Sequence, residues 1–109
     1  MKRGDIVTIL GRGNYPDKPR PAVVVQSDAL NTGDSVLVAL LTSTIRDTPL
    51  FRLAIEPTPS NGLRASSQVM IDKIVAQPRA QCGPVIGKLS DADMLALNNL
   101  LSVMIGLAD

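Results

Sequence analysis

The sequence predicts a mainly β fold, a small barrel or strongly bent sheet with one α-helix packed against it at the C-terminus. Three observations carry that prediction. Short runs rich in Val, Ile and Leu recur between clusters of Gly, Pro, Asn and Ser. The spacing of apolar residues turns helical only after Ser90. A chain of 109 residues, 45% of them apolar, has material for one core and therefore one domain over residues 1–109.

The first strand is Asp5-Ile6-Val7-Thr8-Ile9-Leu10, closed by the turn-formers Gly11-Arg12-Gly13-Asn14-Tyr15-Pro16. Pro19 and Pro21 bias Lys18 and Arg20 away from the helical region, so the chain enters the next strand extended. That strand, residues 22–26, starts with an unbroken apolar run suited to burial on both faces, and Asn31-Thr32-Gly33-Asp34 turns the chain after it. Residues 36–41 form a second central strand, ending in Thr42-Ser43-Thr44. Residues 51–56 alternate apolar and polar at most positions, as a half-exposed strand does, until Pro57-Thr58-Pro59-Ser60-Asn61-Gly62 stops them. Val69-Met70-Ile71 and Ile74-Val75 read as one strand interrupted at Asp72-Lys73. Residues 78–83 read as irregular, and residues 84–87 as a short edge strand. Ser90 is placed to cap a helix whose first turn carries Asp91 and Asp93, where negative charge is favourable. Leu97, Leu101, Met104, Ile105 and Ala108, widened by Leu100 and Leu107, form its apolar stripe.

Composition removes several chemistries. Cys82 is the only cysteine and there is no histidine, so an intrachain disulfide, a thiolate zinc cluster and a Ser-His-Asp triad are all excluded. Cys82 reads as a half-buried filler without the usual base beside it. Asp17, Asp28 and Asp34 are too scattered to nominate a metal site, no cofactor motif is present, and neither a Walker pattern nor GxGxxG occurs. With Tyr15 and Phe51 as the only aromatics, there is no stacking platform for indiscriminate single-strand binding. No apolar run is long enough for a membrane span, and Met1-Lys2-Arg3-Gly4-Asp5 does not open a signal peptide, so the expected location is the cytoplasm. The net charge of +1 is unevenly divided: residues 1–89 hold 11 cations and 7 anions, or +4, whereas residues 90–109 hold three aspartates and no cation, or −3. A basic body suits a polyanionic partner, though +4 is also ordinary for a domain of this size.

Two places could carry chemistry. Arg20, between prolines at the mouth of a buried strand, offers a permanently charged planar fork suited to a phosphate; it could equally be an edge-strand arginine in a surface salt bridge. Thr42-Ser43-Thr44, like Ser66-Ser67, could reach a ligand across neighbouring strand ends or simply start a turn.

The order and spacing of several fragments carry a resemblance. They are Lys2-Arg3-Gly4-Asp5-Ile6-Val7; Arg20-Pro21-Ala22-Val23-Val24-Val25-Gln26-Ser27-Asp28; Val38-Ala39-Leu40-Leu41-Thr42; Ser67-Gln68-Val69-Met70-Ile71-Asp72-Lys73-Ile74; and Ile86-Gly87-Lys88-Leu89-Ser90. Together they span nearly the whole chain, which resembles the MazF/PemK toxins, sequence-specific endoribonucleases of type II toxin–antitoxin systems that share a fold with the CcdB gyrase poisons. The resemblance implies an SH3-like, CcdB-like barrel, a homodimer with an RNA groove along its interface, and an antitoxin whose acidic tail covers that groove. It implies metal-independent, cofactor-free cleavage of single-stranded mRNA, in which the 2′-hydroxyl attacks the adjacent phosphate to leave a 2′,3′-cyclic phosphate and a 5′-hydroxyl. Arg20 and Thr42 take the catalytic positions, and Lys18, Asp17, Tyr15, Ser43, Ser67 and Lys73 are the implied RNA contacts. Some members carry a glutamate five residues before the arginine; this chain has Tyr15 there, with Asp17 the nearest carboxylate, so the general base is left open. Base specificity would lie in the loops at residues 11–18 and 45–50. The alternatives are a non-enzymatic CcdB-like poison of DNA gyrase, which would be expected to carry a tryptophan at the helix end that this chain lacks, and a catalytically silent barrel.

Overall fold

The computed structural model describes residues 1–11 and 18–109. Six strands form one antiparallel sheet: β1 (Asp5–Ile9), β2 (Arg20–Val24), β3 (Ser35–Thr42), β4 (Arg52–Ile55), β5 (Ser67–Pro78) and β6 (Cys82–Lys88). Their order across the sheet is β4-β5-β3-β2-β1-β6. The sheet is not closed, since β4 and β6 are its free edges, so of the two expected forms the bent sheet is the one observed. Its bends are visible as register shifts between β1 and β6 and between β3 and β5.

The apolar runs form the middle of the sheet for the reason their sequences suggest. Ala22, Val23 and Val24 of β2 are all buried, as are Val36, Val38, Ala39 and Leu41 of β3. Alternate side chains divide them between two clusters. Ile6, Val23, Ala39, Leu41, Val69 and Ile71 pack on the helix side with Leu89 and Leu97, whereas Val7, Ile9, Ala22, Val24, Val36 and Val38 cluster on the other face.

Several element boundaries differ from the sequence reading: residues 78–83, expected to be irregular, divide between the end of β5, a single 3-10 turn at Arg79–Gln81 and the start of β6 at Cys82, and two further differences lie closer to the site. β2 starts at Arg20, taking the Arg-Pro pair into the ladder, with Ile9 opposite Arg20 and Thr8 opposite Pro21. β5 runs unbroken through Asp72-Lys73; four residues, Met70 to Lys73, stand on β5 where Leu40 alone stands on β3. The two polar residues do not end the strand because the bulge carries them outward, where both are exposed.

The helix α1 spans Asp91–Met104, with the Ser90 hydroxyl accepting from the Asp93 amide at 3.1 Å. It contacts β4 and β5, burying Leu97 and packing Met94, Leu100, Leu101 and Met104 around it. The apolar stripe outruns the helix: Ile105 and Leu107 lie beyond its last residue and are 60% and 74% exposed. Ser90→Ala should cost about 1 kcal/mol, read as a small fall in thermal midpoint. An unchanged midpoint would mean that α1 is held by packing alone.

Candidate active site at the ends of β2 and β3

The site follows from strand register. Between β2 and β3 the partners are Ala22 with Leu40, Val23 with Ala39, and Val24 with Val38. The paired ladder ends at Ala22 and Leu40; extending its register by two residues matches Arg20, the first residue of β2, with Thr42, the last of β3. On the outer flanks Ile9 is opposite Arg20 and Cys82 opposite Ile9, while Gln68 is opposite Thr42 and Ala54 opposite Gln68. One row therefore crosses the sheet as Cys82, Ile9, Arg20, Thr42, Gln68, Ala54. Directly opposed residues share a face, with Cβ atoms about 4.5–5.5 Å apart, so Arg20, Thr42 and Gln68 are consecutive neighbours. Arg20 shares its face with Ala22 and Val24, on the side away from α1.

Arg20 is half-buried, and its Nε is the one covered side-chain nitrogen or oxygen among the described residues without a hydrogen-bond partner. A buried donor left unpaired costs about 1–3 kcal/mol, more when charged. Among the described residues the fold carries that cost without an internal partner for Nε.

Thr42 starts a turn, because its Oγ1 accepts from the Thr44 amide at 3.1 Å. That bond uses an oxygen lone pair and leaves the hydroxyl proton free to be donated elsewhere. Turn-starter and ligand-binder are thus compatible roles for one side chain.

The other residues singled out in the sequence fare differently. Lys18 and Ser43 are exposed just outside the strands, Lys18 two residues before Arg20 and Ser43 directly after Thr42. Lys73 is exposed within the β5 bulge. Ser67 is not brought into the row: it is buried, donates its hydroxyl to the Ala65 carbonyl at 2.8 Å, and opposes Ile55 on the helix side. One residue along a strand reverses the face, so Gln68, not Ser67, stands beside Thr42. Tyr15 and Asp17 lie outside the described residues.

Two residues without a role in the sequence reading hold the surroundings in place. Gln68, 7% exposed, bonds both backbone polar groups of Arg46, accepting from its amide at 3.1 Å and donating to its carbonyl at 2.9 Å. Gln77, fully buried, donates to the Leu10 carbonyl at 2.8 Å, where the loop between β1 and β2 begins. A buried amide inside an apolar strand was the available signal for both. Cys82 ends the row; burial pushes its thiol up, with Arg79 pulling it weakly down, which leaves it protonated at neutral pH and a poor nucleophile. Among the described residues no three or more Asp, Glu or Cys side chains are grouped so as to hold a metal ion.

Comparison with known proteins identifies the family and the fold. The family model of the PemK-like, MazF-like toxins of type II toxin–antitoxin systems matches residues 2–105. The chain belongs to that family. It is 42% identical over 108 residues to a probable endoribonuclease MazF of Mycolicibacterium smegmatis, covering 99% of each chain. Among solved structures it superposes with a TM-score of 0.81 and 25% identity on a mycobacterial endoribonuclease in complex with its cognate antitoxin, covering 98% of this chain and 96% of that one. The MazF of a MazE–MazF complex from Deinococcus radiodurans gives a TM-score of 0.78 at 18% identity, with 97% and 95% covered, a likeness of fold. The mainly β sheet with one C-terminal helix is thus matched by structures of MazF toxins, and no helix among the described residues is long and apolar enough to cross a membrane.

Proposed function

We propose that this toxin is an endoribonuclease that cuts single-stranded mRNA in the cytoplasm without a metal, and that Arg20 and Thr42 are its catalytic residues. The observation that carries the reading is the covered, unpartnered Nε of Arg20 at the start of β2, beside the strand that ends in Thr42. A scissile phosphate seated there supplies the missing acceptor. The 2′-oxygen attacks phosphorus, the P–O5′ bond breaks, and the 2′-hydroxyl proton is lost while the 5′-oxygen gains one. Negative charge grows on the non-bridging oxygens as the new bond forms. The planar guanidinium of Arg20 meets that charge, and the free proton of Thr42 donates to a phosphate oxygen, both already oriented before reaction. Lys18, Ser43 and Lys73 extend the contact to the flanking backbone, with Tyr15 and Asp17 at the loop before Arg20.

Partners follow from the same surface. An acidic antitoxin tail is complementary to the basic body of residues 1–89, and the relative of known structure noted above was solved with its cognate antitoxin. A second copy of the chain suits the exposed Leu37, Ile105 and Leu107, which border an apolar cavity of about 470 Å³ between α1 and the sheet.

Purified protein should cleave unstructured RNA in the presence of a chelator, leaving 2′,3′-cyclic phosphate and 5′-hydroxyl ends. Products with 5′-phosphate ends would rule out the mechanism. Thr42→Val keeps the shape and removes the hydroxyl; kcat should fall about 10–100-fold, with KM little changed. A rate equal to wild type would remove Thr42 from the catalytic pair.

A further inference from the structure

The turn after Thr42 is held by side chains rather than by a strand ladder. The Arg46 peptide is bonded in both directions by the single amide of Gln68, at 3.1 and 2.9 Å, much as a neighbouring strand would bond it. Arg52 Nη1 donates to the Thr44 carbonyl at 2.9 Å and to Gln68 Oε1 at 3.1 Å, tying the same amide to the first residues of the turn. The Thr44 amide in turn fixes Thr42 Oγ1 at 3.1 Å. These bonds form one connected path: Gln68 holds Arg46 and Arg52, Arg52 holds Thr44, and Thr44 holds the Thr42 hydroxyl. Gln68 also stands directly across the ladder from Thr42. Buried on β5, it has few alternative rotamers, so it transfers the rigidity of the sheet to a turn in which Ile45 is 56% exposed and has no core to pack against.

We propose that Gln68 is a positioning residue for the reaction, acting through Arg52 and the turn at 43–46 to aim the Thr42 hydroxyl and to hold that turn at one height above the site. The inference rests on the endoribonuclease reading above. It assigns no contact with RNA to Gln68.

The test uses the full chain, an RNA of mixed sequence whose cut sites are read by sequencing, and amide hydrogen exchange. Gln68→Met removes both bonds to Arg46 at similar volume, and Arg52→Met removes the second strut from a less buried position. Each should speed exchange at the Thr44 amide, and Gln68→Met also at the Arg46 amide, while those of Val38 and Val69 stay protected. In each, kcat should fall about 10–100-fold with KM within about twofold, and cutting should spread to sites differing by one base. Gln68→Glu, which keeps the acceptor for Arg46 and Arg52, should recover part of kcat. A cutting wild type whose folded variants keep its kcat and its cut sites overturns the positioning role alone, and Arg52→Met answers the question if Gln68→Met does not fold. A wild type that leaves RNA intact overturns the nuclease reading itself.

Discussion

Arg20→Ala should lower the rate of RNA cleavage by about 10³-fold while leaving the fold at least as stable as wild type. The two halves of that expectation have one cause. The guanidinium Nε is covered and has no acceptor among the described residues, so there it contributes a desolvation cost and no hydrogen bond. Removing it relieves the cost, set against the packing lost with the arginine stem. Under the proposed mechanism the same group would face a phosphorane whose charge has no other described cation in the row Cys82, Ile9, Arg20, Thr42, Gln68, Ala54. Arg20→Lys should recover little, since an ammonium supplies charge without the planar fork. Cleavage rates with saturating RNA, together with thermal midpoints of the three proteins, check both halves. A midpoint several degrees below wild type for Arg20→Ala would show that the arginine is structural, and unchanged cleavage would end its catalytic assignment.

The second large effect concerns the edge of the sheet. Gly87→Ala should destabilise the fold by about 3 kcal/mol or more. A Cβ at Gly87 would lie 2.3 Å from both the carbonyl carbon and oxygen of Asn61, which are backbone atoms and cannot rotate away. Nor can that loop withdraw. The buried Asn61 side chain accepts from the Thr58 and Leu63 amides and donates to the Glu56 carbonyl, and the Lys88 amide donates to the Ser60 carbonyl. Gly87 is also opposite Ile6 in β1, so a shift of β6 propagates toward the strand that flanks Arg20. The fall in thermal midpoint should be about 12 °C or more. Gly33→Ala is the control: nothing lies within 4 Å of its would-be Cβ, and only its left-handed φ of +93° opposes the change. That substitution should cost about 1–2 kcal/mol. A Gly87→Ala protein as stable as Gly33→Ala would mean that the loop and β6 are not packed as described.

The elements themselves were legible in the chain because each rests on local chemistry. Unbroken Val and Leu runs mark β2 and β3, an N-cap serine with aspartates behind it marks α1, and prolines mark the extended approach to Arg20. Local chemistry also singled out Arg20 and the Thr42-Ser43-Thr44 cluster, polar groups at the ends of apolar runs, and only the family resemblance picked Thr42 from the three. It did not show that the two runs pair in the register that makes those ends opposite one another, which depends on contacts between strands far apart in sequence. It could not choose between Ser67 and Gln68 either, since side chains alternate faces and only the pairing of β5 with β3 and β4 fixes which residue of a polar pair stands beside Thr42. Nor did the apolar stripe of the C-terminal segment reveal that Ile105 and Leu107 leave the core, because periodicity records which residues could be buried and only packing against β4 and β5 decides which are. The sequence by itself determined the strands, the helix and the two groups suited to a phosphate. Tertiary structure decided their juxtaposition, the open edges of the sheet and the unmet hydrogen bond of Arg20, all of which depend on pairings that no local stretch of chain contains.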